Sequence, residues 1–334
     1  MMHTRQLQYD HSHFLDDLRP LLSDADLAIA NAEFTLAGPP YTGYPAFSAP
    51  DTYLNSILDA GVDVLLTANN HILDKGSKGL ERTLKQYGVF AGSGLDEDQY
   101  FRSNPLIVTV KGVRIALVNF TYGTNKGAVS EYPKVSRMNK EEISRQMERA
   151  RRYADFVLVL PHWGEEYKLK HNSVQRQWAE WLVEQGADAI VGAHPHVVQD
   201  TTHIGGVPVV YSVGNAVSNM SAANTRLELA VVLKFVFCKG SGEARTLEPE
   251  LHFLWCTLPG KKTDSYRTVV VDDQIGCPTW TIELADGIMK ILDKPYGIYH
   301  ISSMGKTSWY NFACEIFKKA GLKRSEERRV GKEC

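Results

Sequence analysis

The stretch that decides the fold is residues 188–200, Asp-Ala-Ile-Val-Gly-Ala-His-Pro-His-Val-Val-Gln-Asp. Its apolar run, 189–191, predicts a short buried strand that ends in Gly-Ala and is followed by two histidines. In α/β proteins the carboxyl end of such a strand is where ligands bind. Residues i and i+2 of an extended segment point to the same side, so His194 and His196 are predicted to face one metal ion or one phosphate-like group. Two structural histidines at a strand end would show the same spacing.

The composition is that of a globular protein with a substantial core, at 43% hydrophobic and 23% charged residues. A net charge of −2 gives no electrostatic argument for nucleic acid, so no nucleic-acid partner is predicted. The five cysteines are widely spaced and contain no Cys-x-x-Cys, which predicts neither a disulfide framework nor a structural zinc site. No apolar run reaches the roughly 18 residues of a membrane helix, and no signal peptide is visible.

Strands and helices alternate on both sides of the opening stretch, which predicts an α/β fold. Residues 106–120 predict a hairpin, and residues 227–237 and 247–255 predict long outer strands of a sheet. The remaining predicted strands are 26–34, 62–67, 155–160 and 207–213, and the predicted helices of this part are 14–22, 51–58, 78–87, 140–152 and 174–185.

Polar side chains follow four of the predicted strands. They are Asn31 and Glu33, then Asn69, Asn70 and His71, then His162 and Glu165, and finally His194 and His196, with Asn215 after a fifth strand. Because parallel strands present their carboxyl ends at one edge of a sheet, these groups are predicted to converge in one cleft. Neutral imidazoles with carboxylates and an amide oxygen match the donors of a binuclear metal site.

Each of these residues taken alone has an ordinary structural interpretation. His71 could cap a helix, Glu33 could be a surface carboxylate in a loop, and His162 could pack beside Trp163. The ordinary interpretation does not explain why such polar residues directly follow four different predicted buried strands.

Five stretches resemble the CapA family, which is named for bacterial poly-γ-glutamate capsule synthesis and is similar to calcineurin-like metallophosphoesterases. The resemblance covers about residues 1–260 and implies a sandwich of two mixed β-sheets flanked by helices, with a divalent metal pair (Mn, Fe or Zn) at one edge. The matching stretches are ADLAIANAEF (25–34), DVLLTANNHILDKGSKGLERTL (63–84), LPHWGEEY (160–167), GADAIVGAHPHVVQ (186–199) and VYSVGNAVSN (210–219).

The resemblance also implies roles for single residues. A metal pair in the parent protein would activate water toward a phosphoester or a related electrophile, with amide or peptide-bond cleavage as a further possibility. The proton for the leaving group would come from one histidine or from Glu165. The implied metal ligands are Glu33, Asn70, His71, His162, His194 and His196, and the implied catalytic residues are His162, Glu165 and His196.

The chain departs from the family pattern at its start. Family members begin with a strand ending in Gly-Asp, and Met1-Met2-His3 resembles only the remainder of that motif. The resemblance therefore implies that the sandwich lacks its first strand, that one metal lacks a carboxylate ligand, and that activity belongs to the intact parent.

Partners and location also follow from the resemblance. It implies an anionic polymer or phosphoester substrate, contact with other capsule-synthesis proteins, and a parent at the bacterial cell envelope or otherwise outside the cytoplasm. The alternative is a non-catalytic component that binds or exports the polymer. The oligomeric state is not predicted.

The C-terminal region has a different character. After a junction at 261–269, residues 270–323 resemble the substrate-binding C-terminal part of dTDP-4-dehydrorhamnose reductases and predict a small α/β fragment. Upstream of this segment there is no glycine-rich dinucleotide loop at the right distance and no Tyr-x-x-x-Lys pair that matches that of those enzymes, so a reductase fragment is the third hypothesis. Residues 324–334, RSEERRVGKEC, resemble a translated sequencing adapter and predict a disordered tail. Together these features predict a chimeric sequence.

Overall fold

The computed structural model describes residues 13–127, 131–220, 222–238, 243–257, 268–270, 275–276 and 307–308. The chain divides into two compact units, residues 1–270 and 271–334. Within the second unit the described part is one antiparallel pair of short strands, Ile275–Gly276 with Thr307–Ser308. The helices predicted in the C-terminal fragment and the tail at 324–334 lie outside the described residues.

Six α-helices are described in the first unit. Two begin with an asparagine whose side chain accepts a backbone hydrogen bond, which satisfies a donor that the first turn leaves unpaired. Within the described ranges, no helix combines the length and the apolar character that crossing a membrane requires. The helices are α1 (Arg19–Asp24), α2 (Asp51–Asp59), α3 (Gly76–Gln86), α4 (Glu97–Ser103), α5 (Lys140–Tyr153) and α6 (Ser173–Glu184).

The strands of the first unit are numbered in chain order. They are β1 (Ile29–Asn31), β2 (Val64–Leu66), β3 (Phe90–Ala91), β4 (Ser93–Gly94), β5 (Leu106–Val110), β6 (Val113–Thr121), β7 (Lys134–Val135), β8 (Phe156–His162), β9 (Ala189–Val191), β10 (Thr201–Ile204), β11 (Val207–Val210), β12 (Leu227–Val232), β13 (Phe235–Cys238), β14 (Glu243–Thr246), β15 (Glu250–Cys256) and β16 (Thr268–Val270).

Two sheets form the centre of the unit. The larger has the order β10-β11-β9-β8-β6-β5, in which the four inner strands are parallel and both edge strands are antiparallel. The smaller, β1-β2-β3, is parallel. This arrangement confirms the predicted α/β architecture with several sheets and flanking helices, and the hairpin predicted at 106–120 is β5 and β6.

Alternating side chains explain how these layers stack. Along β6 and β8, Leu117 and Leu158 face the smaller sheet, where they pack in one cluster with Val64 and Leu66. The intervening residues of the same strands face α5 and α6 and form a second cluster that includes Ile143. A third cluster packs α2 and α3 on the far side of the smaller sheet. The order of layers is therefore helices, sheet, sheet, helices.

A repeated device fixes the amino ends of the parallel strands. Asp155 stands before β8; its backbone N–H donates to the carbonyl of Arg114, and its carboxylate accepts from the backbone N–H of Arg114 at 2.8 Å. Asp188 pairs with Val157 in the same way, with the carboxylate bond at 2.7 Å. In the smaller sheet, Asp63, which precedes β2, makes the same two hydrogen bonds with Ala28, which precedes β1. We call these three pairs the aspartate clasps.

The outer strands differ from the prediction. Residues 227–237 form two strands, β12 and β13, which pair with β15 and β14 respectively, rather than one long strand. The break falls at Leu233 and Lys234, where the chain passes from one antiparallel pair to the next. Lys234 is the one charged residue in the otherwise apolar run 229–237, and periodicity alone did not show that the pairing changes there.

Candidate metal centre

The predicted convergence of strand ends takes place. Glu33 follows β1, Asn70 and His71 follow β2, His162 is the last residue of β8, and the two histidines of the opening stretch follow β9. Their strands run parallel within each sheet, so the groups meet at one edge although they come from four distant parts of the chain.

His194 and His196 reach this edge by a route that the sequence reasoning did not foresee. Both have positive φ angles, 105° and 60°, so the segment is not extended as expected, although the two imidazoles still belong to one cluster of candidate ligands. Non-glycine residues rarely adopt this conformation, and such strain is concentrated at functional sites. At Gly192 the chain passes so close to the Tyr211 carbonyl and the Trp163 ring that a Cβ would collide with both.

The first cluster of candidate ligands consists of Glu33, His162 and His194, and we call it the inner group. One ligand atom from each residue lies within 4.8 Å of the others. His162 Nε2 lies 3.8 Å from Glu33 Oε1 and 3.0 Å from the side-chain oxygen of Asn70. His162 Nε2 donates to the Asn70 oxygen in the absence of an ion, and both oxygens lie within 4 Å of this nitrogen.

The inner group is buried and its hydrogen bonding is incomplete. Within the described residues, Glu33 Oε1, His162 Nδ1 and His194 Nδ1 are buried without a hydrogen-bond partner. Burial raises the pKa of Glu33, which His196 and His71 oppose. Burial, with the help of His196 and His71, lowers the pKa of His194 to about 3. Burial also holds the pKa of His162 well below its usual value. Both imidazoles are therefore neutral near pH 7 and keep a lone pair for a ligand.

A second cluster, the outer group, consists of Glu166, His194 and His196. His196 Nδ1 bonds the side-chain oxygen of Asn215 at 2.8 Å, which directs its Nε2 toward the cleft, 4.0 Å from Glu33 Oε1. Hydrogen bonds of this kind orient histidine ligands in known metal sites. His194 belongs to both groups.

Glu165, which the sequence reasoning proposed as a proton donor, is not brought into either group. Its side chain is exposed, and its carboxylate accepts a hydrogen bond from the Asn172 side chain at 3.2 Å. The adjacent carboxylate, Glu166, lies beside the histidines instead. Two consecutive glutamates in a loop give no sequence signal that distinguishes one from the other.

His71 was predicted as a metal ligand, but it belongs to neither group. Its Nδ1 lies 2.7 Å from the carboxylate of Asp74, which is buried and also accepts from the backbone N–H of Phe47. The Asn125 side chain lies 3.3 Å and 3.5 Å from the two ring nitrogens. The sequence reasoning missed Asp74 and Asn125. For Asp74, the spacing of three residues after His71 within one turn was an available signal.

Tyrosine side chains flank the histidines. The ring of Tyr122 lies 4.6 Å from that of His194, and the ring of Tyr167 lies 6.1 Å from that of His196, with both tyrosines partly exposed. The sequence reasoning assigned no role to either tyrosine. Their exposure places aromatic surface beside the cleft.

The donor set fits a divalent transition metal. Neutral imidazoles, carboxylates and an amide oxygen are the ligands that Zn²⁺, Fe²⁺ and Mn²⁺ take in proteins. A cation would also favour the ionised form of Glu33, which burial alone disfavours. Glu33 Oε1, which is buried without a hydrogen-bond partner among the described residues, is an atom that such an ion would satisfy.

Comparison with known proteins identifies the family to which residues 1–220 belong. The model of the family described as bacterial capsule synthesis protein PGA_cap matches residues 1–220. This chain belongs to that family. The capsule biosynthesis protein CapA of Bacillus anthracis is 31% identical over 235 residues, which cover 66% of this chain and 57% of that protein. The chain spans about half the length of the curated PGA_cap relatives that it matches.

The C-terminal region matches a second family. The model of the RmlD substrate binding domain matches residues 255–333. The dTDP-4-dehydrorhamnose reductase of Streptomyces griseus is 39% identical over 66 residues, which cover 18% of this chain and 22% of that enzyme. The predicted combination of a CapA-like part with a reductase-like part in one sequence is therefore confirmed.

A solved structure supports the fold. A Staphylococcus aureus structure, described as a candidate 5′-nucleotidase in complex with α-ketoglutarate, aligns with a TM-score of 0.51 at 13% identity. The alignment covers 72% of this chain and 48% of that one. At this identity the likeness concerns the fold, and it agrees with the predicted metallophosphoesterase-like sandwich.

Proposed function

We propose that this PGA_cap protein is a metal-dependent hydrolase of bacterial capsule or poly-γ-glutamate biosynthesis that cleaves a phosphoester or a related bond of an anionic polymer. The observation that carries the proposal is the inner group, Glu33, His162 and His194. Its members bury polar atoms that have no hydrogen-bond partner among the described residues. A buried polar atom without a partner costs about 1–3 kcal/mol, and Glu33 Oε1, which His162 Nε2 and His196 Nε2 approach to 3.8 Å and 4.0 Å, therefore calls for a cation that compensates it.

In this proposal Glu33, His162 and His194 hold the ion, with Asn70 beside His162 as an amide donor. When bound, a divalent ion supplies Lewis-acid activation of water and of the ester oxygens. The low pKa values of the two buried histidines keep their lone pairs free for this role at neutral pH.

The proton for the leaving group is assigned to His71. Asp74 accepts from one side of its ring and fixes the ring's orientation, which leaves Nε2 as the nitrogen that can exchange a proton with a substrate. Asn125 lies close to the same ring and limits its rotation. His71 is preferred to Glu165 because the Glu165 carboxylate is exposed and accepts a hydrogen bond from the Asn172 side chain.

The setting is proposed from the relatives. Proteins named for capsule and poly-γ-glutamate biosynthesis suggest that this one works at the bacterial cell envelope beside other capsule-synthesis proteins. The exposed faces of Tyr122 and Tyr167 give the cleft a surface on which a chain-like substrate could lie.

The test uses the purified full chain, depleted of metal and then supplied with Mn²⁺, Zn²⁺ or Fe²⁺. We expect thermal stabilisation by at least one ion and metal-dependent hydrolysis of p-nitrophenyl phosphate or bis(p-nitrophenyl) phosphate. His162→Ala should lose both, whereas His203→Ala, a change of an exposed histidine, should keep both.

Two results would contradict the proposal in different ways. A chain that neither binds nor is stabilised by any of the three metals refutes the metal centre. A chain that binds metal and poly-γ-glutamate but hydrolyses neither a phosphoester nor the polymer supports the non-catalytic alternative, a polymer-binding or export component.

A further inference from the structure

Tyr122 stands directly after β6, at the same sheet edge as the candidate ligands. Its backbone N–H donates to the carbonyl of His162 at 2.9 Å, which extends the pairing of β6 with β8. Three residues later, Asn125 donates its backbone N–H to the carbonyl of Asn70 at 2.8 Å. The loop that carries Tyr122 is therefore tied to two of the strand ends that form the site.

The ring of Tyr122 packs against the imidazoles of the inner group. Its centroid lies 4.6 Å from that of His194 and 6.4 Å from that of His162, to which it is nearly parallel at 9°. Both histidines are buried, whereas 44% of Tyr122 is exposed. The tyrosine is therefore the member of this aromatic stack that a substrate can reach from solvent.

The hydroxyl of Tyr122 lies among the polar groups of the cleft. Burial and the carboxylates of Glu166 and Glu33 raise the pKa of this phenol, and a side-chain hydrogen bond from Asn70 opposes them. The oxygen of the same amide accepts from His162 Nε2 at 3.0 Å, which fixes its orientation. A tyrosine oxygen that accepts from an amide keeps its own O–H for donation. The Tyr122 proton can therefore be donated to an acceptor in the cleft.

Tyr167, which also flanks the histidines, differs in this respect. Burial raises the pKa of Tyr167, and Glu166 adds to this through its charge and through a hydrogen bond that it accepts from the tyrosine hydroxyl. That proton is already bound by a carboxylate of the protein. The Tyr167 ring also lies farther from its histidine, at 6.1 Å from His196. Of the two tyrosines, Tyr122 is the one placed to donate to a substrate.

We propose that Tyr122 is a catalytic residue whose hydroxyl donates a hydrogen bond to a non-bridging oxygen of the phosphoryl group that is hydrolysed. This inference rests on the proposed function and adds to it a contact with the substrate rather than with the ion. Negative charge is spread over these oxygens in the transition state, so a fixed donor stabilises that state more than the ground state. Tyr122 keeps its proton throughout, and His71 still supplies the proton of the leaving group.

The experiment compares the Mn²⁺-loaded wild type with Tyr122→Phe, which keeps the ring and removes only the hydroxyl. For the p-nitrophenyl ester that the wild type hydrolyses, kcat/KM should fall by about 100-fold, as for the loss of one transition-state donor. The affinity for inorganic phosphate, measured by calorimetry, should fall by about tenfold, the effect of one hydrogen bond to a charged group. The affinity for Mn²⁺, measured by electron paramagnetic resonance, should stay within about threefold, below the effect of a lost ligand or support.

The matched control is Tyr153→Phe, since Tyr153 is similarly exposed, at 48%, but lies at the C-terminal end of α5. It should leave all three quantities unchanged. The inference is overturned if Tyr122→Phe matches this control in kcat/KM or in phosphate affinity. It is also overturned if a loss of Mn²⁺ affinity accounts for the loss of activity, because Tyr122 would then act only by holding Asn70. Thermal unfolding checks that each variant is folded.

Failure of the proposed function gives a different pattern of results. A wild-type chain that binds Mn²⁺ and phosphate but hydrolyses no phosphoester refutes the function, and phosphate titration of Tyr122→Phe still decides whether the hydroxyl contacts a phosphoryl oxygen. A wild-type chain that binds no phosphate refutes both. Hydrolysis that Tyr122→Phe leaves unchanged refutes only the role of Tyr122.

Discussion

The two ends of the parallel strands differ in whether their polar side chains have hydrogen-bond partners. At the amino ends, Asp63, Asp155 and Asp188 each close a clasp in which the carboxylate accepts a backbone N–H of the neighbouring strand. At the carboxyl ends, Glu33 and His194 bury polar atoms that find no partner among the described residues.

This difference separates stability from chemistry along one set of strands. The aspartate carboxylates that accept hydrogen bonds strengthen pairing between strands. The buried polar atoms of Glu33 and His194, which have no partner among the described residues, lower stability in the absence of a ligand. Substitutions at the amino ends should therefore change the free energy of unfolding, and substitutions at the carboxyl ends should change the affinity for metal. Four measurements test this.

The largest effect is expected for His194→Ala. Because both groups of candidate ligands contain this residue, the affinity for Mn²⁺ should fall by more than about 100-fold, beyond what loss of a supporting residue causes. Unfolding of the metal-free chain should be little changed. Isothermal titration calorimetry and urea denaturation measure the two quantities, with His203→Ala as the control. A fall of less than threefold would contradict the comparison.

At the opposite end, Asp188→Ala should lower the free energy of unfolding by about 1–2 kcal/mol, since it leaves the Val157 N–H without its acceptor in the core. Metal affinity should stay within about threefold of the wild type. Urea denaturation of the metal-free chain, with the exposed Asp59→Ala as control, gives the result. A matching loss of metal affinity would show that the two ends are not independent.

A smaller effect is expected for the residues that support the histidines. His196→Ala removes an imidazole that lies beside Glu33 but outside the inner group, so it should lower the affinity for metal by less than His194→Ala does, and Asn215→Ala, which removes the bond to its Nδ1, by less still. The measurement is the same metal titration. If Asn215→Ala weakens binding more than His196→Ala does, Asn215 is a ligand rather than a support.

The smallest effect concerns pH. The Arg114 side chain lowers the pKa of Asp155, so its ionised form contributes stability above the unfolded pKa of about 4, which is lost as the pH falls through the folded value. Burial raises the pKa of Asp188, so its contribution is present below about pH 4 and is lost as the pH rises through the folded value.

Asparagine substitutions should therefore have opposite signs. At pH 7, Asp155→Asn should lower the free energy of unfolding by up to about 1 kcal/mol, because the Arg114 guanidinium is half-exposed. Asp188→Asn keeps an acceptor for Val157 and should leave that energy unchanged or raise it. Denaturation at pH 7 and pH 3.5 tests both, and the Asp155→Asn difference should shrink at the lower pH. Equal losses at pH 7 would contradict the opposite pKa shifts.

Much of the fold could be predicted from the sequence because the strands that place the site are short apolar runs with polar ends. Residues 62–67 and 155–160 predicted β2 and β8 to within two residues at each end. The break between β12 and β13 could not be predicted, because a pattern of apolar residues does not show which strand each one pairs with.

The candidate site could be predicted as a set of residues but not as a geometry. Strand order places Glu33, His162 and His194 at one edge, which the sequence supports. The backbone angles of His194 and His196 depend on how the chain passes Trp163 and Tyr211, and only the folded structure contains that information. For the same reason the sequence did not favour Glu166 over Glu165.

The clasps also act as alignment marks. Asp155 forms one clasp directly before β8, and the Val157 N–H donates to Asp188 in a second clasp. β8 ends at His162, seven residues after Asp155. Sliding β8 by one residue would move His162 by about 3.3 Å and turn it to the opposite face, far outside the roughly 0.5 Å within which a site functions. Each aspartate thus sets the position of an imidazole at the far end of its strand. A residue inserted within β8 would shift His162 relative to the clasps, whereas a residue inserted after His162 would leave the clasps and His162 in place.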